Sequence, residues 1–151
     1  MTVPPNPLQA HETFQYRKAG QASVLEYMAS GLPYVTQSSV GTTPEKIEFP
    51  FVTKFFTVKN TSANDLHVGF TENGVQGTNR FTLSTSESFT GDIRIRDLYL
   101  QSAGGTADFE IIAGLTGILR RDFFILTGSF VGFSGSQQDF GYRAFGYDGI
   151  G

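Results

Sequence analysis

The chain has no cysteine among its 151 residues. That one absence removes a disulfide framework, cysteine-ligated zinc, iron–sulfur chemistry and a thiolate nucleophile together. Tryptophan is missing too, which takes away the broad indole face that sugar-binding platforms commonly use. Charge is scarce: 17% of the residues are Asp, Glu, Lys or Arg, against about a quarter in an ordinary domain. The 11 Lys and Arg are scattered and the net charge is -3. The clustered basic surface that neutralises phosphates is therefore lacking, and no nucleic-acid partner is expected. No run approaches the roughly 18 apolar residues that cross a bilayer. The opening MTVPPNPLQA has neither the basic start nor the apolar core of a classical export signal, so a soluble chain without a membrane span is expected.

What is abundant is glycine (18), phenylalanine (15) and many Ser and Thr. Phe and Thr suit a pleated, half-buried surface and Gly suits tight connections, which is the balance of a β-protein. The length allows one domain, able to bury about two-thirds of its unfolded surface without covalent staples.

Three regions differ in texture. Residues 1–46 read as an N-terminal arm: Pro4, Pro5 and Pro7 fix an extended start, and Val24, Leu25, Tyr27 and Met28 recur at the spacing of a short helix that Gly31 would end. Within the arm, Leu32 to Gln37 is a candidate strand, which Pro33 confines to an edge or a strand start. Residues 47–127 read as a β-sandwich core. Ile47, Phe49 and Phe51 alternate, and Phe56 and Val58 then carry the apolar face on the opposite parity, the mark of a bulge or bend. Leu66, Val68 and Phe70 alternate up to an Asn73-Gly74 turn signal. Phe81 with Leu83, Ile93 with Ile95, Leu98 with Leu100, and Phe123 to Leu126 are shorter candidates. Ala107, Phe109, Ile111, Ala113 and Leu115 form the best period-2 run. Six to eight strands separated by turns, with no helix long enough for a parallel crossover, predict an all-β antiparallel sandwich or barrel, the single jelly roll included; a single-jelly-roll β-sandwich is the expected form.

Residues 128–151 form a C-terminal tail with seven glycines and six aromatics, Phe130, Phe133, Phe140, Tyr142, Phe145 and Tyr147. Ordering such a stretch costs about 1 to 2 kcal/mol of backbone entropy per residue. Each aromatic can bury about 150 to 250 Å² in return. Two readings follow: a final strand folded back on its own core, or a segment ordered against a partner. The three arm prolines and these six aromatics are the candidate partner-binding residues.

Chemistry is hard to find. His11 and His67 have no second histidine at ligand spacing, and His67 has the outward parity of its strand. Asp108 and Glu110 share a strand's outer face, and Asp92 and Asp97 bracket another, as acidic residues do in any β-domain; glycosidase pairs need a cleft. The loop GFTENGVQG lacks the Lys-Ser/Thr ending of a phosphate loop, and a hairpin is expected there instead. Arg94, Arg96, Arg120 and Arg121 are expected mostly in solvent. Asn60-Thr61-Ser62 fits a glycosylation sequon, with nothing else pointing to secretion. No catalytic residue, metal or cofactor is expected, and the chain is not expected to be an enzyme.

From FPFVTKFFTVKNTSANDLHVGFTENGV through DIRIRDLYL to the closing FGYDGIG, residues 47 to 151, the sequence resembles small single-jelly-roll structural proteins of icosahedral viruses: minor capsid, penton-vertex and cement proteins. The resemblance implies a virion protein, made in the host cytoplasm and placed in the capsid shell, whose partners are other copies of itself and the major capsid protein. The competing expectation is a carbohydrate-binding or host-attachment sandwich.

Overall fold

The computed structural model describes residues 31–126, 144–146 and 149–151. Eight strands carry the fold: β1 (Leu32–Val40), β2 (Glu45–Glu48), β3 (Phe51–Asn60), β4 (Leu66–Gly69), β5 (Phe81–Leu83), β6 (Ser88–Gly91), β7 (Asp97–Ser102) and β8 (Ala107–Leu119). They form two four-stranded antiparallel sheets, ordered β1-β8-β3-β6 and β2-β7-β4-β5. The first strand pairs with the eighth, the second with the seventh, the third with the sixth and the fourth with the fifth. This is a single long hairpin rolled up so that β3 also meets β8 and β4 also meets β7. This strand order is that of a single jelly roll, one form of the antiparallel sandwich that the alternation predicts.

The two inner faces supply the core. Along β8, Ala107, Phe109, Ile111, Ala113 and Leu115 point inward and are buried; Asp108, Glu110 and Ile112 point outward. Leu66 and Val68 of β4 and Leu98 and Leu100 of β7 face them from the other sheet, all fully buried. Each such side chain contributes about 1.5 to 3 kcal/mol by leaving water. At one end of the sandwich Phe56, Phe70, Phe81 and Phe89 pack ring on ring, with centroids 4.6 to 6.3 Å apart.

The parity change after Phe51 has two causes. Between β2 and β3 the chain crosses from one sheet to the other at Phe49-Pro50, with Phe49 buried at the corner. The pairing of β3 with β8 then shifts register between Phe51 and Thr53 and again between Thr53 and Phe55. Two buried threonines satisfy the backbone groups that these irregularities would orphan. The Thr53 hydroxyl donates to the Ile93 carbonyl at 2.9 Å and accepts from the Ile95 N–H at 3.0 Å. The Thr116 hydroxyl donates to the Val52 carbonyl at 2.7 Å and accepts from the Ile118 N–H. Ile93 and Ile95 thus belong to an irregular approach to β7, which starts at Asp97.

One expectation needs correction and another gains detail. The sandwich does not begin at residue 47: β1 and the first residues of β2, counted above with the arm, are sheet strands. Their apolar signal is weak because β1 is an edge strand that turns only alternate residues, Tyr34 and Val40 among them, towards the core. The Asn73-Gly74 signal lies in the connection of a hairpin, as expected, since β4 and β5 pair antiparallel on either side of it. It lies in a short helix, α1 (Glu72–Gln76), capped by Thr71, whose hydroxyl accepts from the Gly74 N–H at 2.9 Å.

The described part of the tail lies on its own chain. A short strand β9 (Ile125–Leu126) pairs in parallel with β10 (Ala144–Phe145). Ile150 is buried, and its carbonyl accepts from the Thr71 hydroxyl at 2.6 Å. The helix expected over Val24 to Met28 lies outside the described residues.

Candidate assembly surface

The side chains that could do chemistry are spread out or already engaged. No group of three His, Cys, Asp or Glu that could hold a metal occurs among the described residues. His67 sits on the outer face of β4 with Nδ1 3.0 Å from the Thr82 hydroxyl. Partial burial, aided by the nearby Arg80 charge, holds its pKa below the ordinary histidine value. Its hydrogen-bond partner is a hydroxyl and not a carboxylate, so no acid–base pair is formed there among the described residues. Asn60 is fully buried and donates to the carbonyls of Asn64 and Leu83, so the sequon asparagine is a turn hub within the fold.

Arg96 and Arg120 are not solvated charges. Arg120 donates to the carbonyls of Phe49 and Arg96, at 2.8 and 2.6 Å, and to Asp97 Oδ1 at 2.8 Å. Arg96 donates to the Arg120 carbonyl at 3.0 Å and lies 3.4 Å from Asp97 Oδ2. The pair is drawn in because the Phe49, Arg96 and Arg120 carbonyls gather at the corner, and guanidinium forks can bond several oxygens at once. Glu48 stands at the rim. Its Lys46 hydrogen bond, with the charges of Lys46 and Arg120, holds its carboxyl below the usual range. The cluster is a brace between the sheets, held by backbone carbonyls and by the Asp97 carboxylate. Arg121 remains exposed, as expected.

Beside the brace, Phe70, Ile93, Arg94, Ile95, Phe124 and Leu126 line a cleft of about 280 Å³ that Gly149 and Ile150 close at one end. The Nε of Arg94 is buried there without a hydrogen-bond partner.

The other notable surface is the outer face of the β1-β8-β3-β6 sheet. Register places Val35 beside Ile112 and Ile112 beside Thr57; one step along, Pro33 lies beside Gly114 and Gly114 beside Phe55. Val35 is 70% exposed and Ile112 48%. Ile112 lines a shallow apolar groove of about 210 Å³ with Leu32, Pro33, Phe55 and Gly114, and Val35 stands beside Ile112 on the same face. One step the other way, Gln37, Glu110 and Lys59 restore a polar surface. The groove runs out to β1, whose far side has no neighbouring strand among the described residues.

Sequence reasoning did not single out these residues. The signal was present in two places. Ile112 is an apolar residue on the polar parity of β8, and LPYVTQSSV is a nine-residue strand without one charge. Of the expected partner-binding residues, Pro4, Pro5, Pro7, Phe130, Phe133, Phe140, Tyr142 and Tyr147 lie outside the described residues. Phe145 is described in its backbone alone, paired with Leu126.

No family model matches the chain, and no curated protein matches it by sequence. Solved structures give two β-rich similarities. PirA is 15% identical over 54% of this chain and 93% of its own, with a TM-score of 0.35. A chain of the Bacillus endospore appendages, a family of disulfide-linked pili, is 16% identical over 58% of this chain and 95% of its own, with a TM-score of 0.27. Neither is similar enough to carry an argument about function, and neither supports a capsid origin.

Proposed function

We propose that the chain is a non-enzymatic structural subunit of a virion, a minor capsid, penton or cement protein that acts through contacts between subunits. The observation that carries this reading is the apolar, uncharged outer surface at Val35, Ile112, Phe55 and Pro33 on a jelly-roll sandwich. A sandwich that stands alone normally keeps the outer face of such a sheet polar. The capsid part of the reading rests on the resemblance of residues 47 to 151 to small capsid jelly rolls. A carbohydrate-binding role is less well supported, since no aromatic ring among the described residues is fully exposed to form a platform.

The test is the composition of purified icosahedral particles. The chain is expected at a fixed copy number per particle and at symmetry-related positions in an image reconstruction. Recovering it only as free protein beside intact particles overturns the proposal.

A further inference from the structure

Among the described residues the sandwich has four sheet edges, and three are protected. β2 is four residues long and reads Glu-Lys-Ile-Glu, β5 has three residues, and β6 has four. Short strands and charges are how proteins stop an edge from recruiting another chain. β1 is the exception, with nine residues, no charge, and Pro33 as its only blunting residue, one step from its start. Its outward-facing N–H and C=O groups are a template for a further strand.

We infer that β1 pairs with β1 of a second copy, antiparallel, joining two four-stranded sheets into one of eight. This names the partner of the assembly surface and rests on that surface being an interface. A second copy fits for three reasons. Two identical strands without charge meet with no repulsion. The two-fold axis that makes such strands antiparallel stands perpendicular to the sheet, so both outer faces stay on one side of the joined sheet and the exposed Val35 of each copy becomes a diagonal neighbour of the other. Full overlap of Leu32–Val40 centres on Thr36 and sets Val35 opposite Gln37 of the other copy, a cross-strand pair on the outer face.

That register gives the test. Sedimentation velocity of the full chain, from about 1 to 100 μM, is expected to show a monomer–dimer equilibrium. Val35→Lys with Gln37→Lys sets like charges against each other twice and is expected to weaken the dimer about tenfold or more. Val35→Lys with Gln37→Glu sets opposite charges across the same pairs and is expected to recover it. Both positions are exposed, so thermal melting monitors folding independently. A wild-type chain that stays monomeric throughout overturns the inference, as do two variants that behave alike. A monomer that is nonetheless found in purified particles would overturn the strand pairing and leave the virion reading standing.

Discussion

Thr53 shows how one hydroxyl sustains an irregular strand. It is fully buried, and its oxygen is the partner of the Ile95 N–H at the double register shift of β3. Thr53→Val keeps the shape and leaves that N–H unsatisfied, at a cost of about 1 to 3 kcal/mol. The urea midpoint is expected to fall with the slope unchanged, and Thr53→Ser to restore most of the loss. Residue-level charge was the hardest feature to read in advance. Arg96, Asp97 and Arg120 looked like surface charges, because nothing in the local sequence tells that a sheet-to-sheet corner will present its carbonyls to them. The acidic residues of β8 lie outward as expected, since strand alternation alone decides their side.

At the scale of the element, α1 and the residues at 149–151 depend on each other. Gly74 is in the helix, yet a Cβ there would overlap the Ile150 carbonyl oxygen and crowd the Thr71 hydroxyl. Ala favours an isolated helix over Gly by about 1 kcal/mol. Gly74→Ala is nonetheless expected to lower stability and to speed hydrogen exchange at 149–151 while the core strands stay protected. A gain in stability with unchanged exchange would show that the segment does not seat there. The element pattern explains which strands were legible. β4, β7 and β8 bury one face of strict alternation and could be read from the sequence. β1 could be placed only as an edge candidate through Pro33, since it lends few side chains to the core. The Asn-Gly step correctly marked the β4–β5 connection, but not that it forms a single helical turn, which depends on the Thr71 cap.

For the whole molecule, the rolled-hairpin topology makes the ends of the sandwich mutually dependent. A chain started at Ile47 would lose β1 and half of β2, uncover the β8 edge and expose Phe49, which packs edge-on against Tyr34 with centroids 5.1 Å apart. Its thermal unfolding is expected to lose the single cooperative transition, whereas a chain started at Gly31 keeps it; near-ultraviolet circular dichroism of the two would check this.

The same topology sets a schedule. Val40 ends β1, but its partner β8 starts at Ala107, so a ribosome adding about 5 to 20 residues per second emits the first strand roughly 3 to 13 seconds before its mate appears. During that interval a nine-residue, uncharged segment waits without company on either side, in a cell translating many identical messages at once. Rapid synthesis from crowded polysomes should therefore favour meetings between neighbouring nascent chains, and slow synthesis at low temperature should favour the self-contained product.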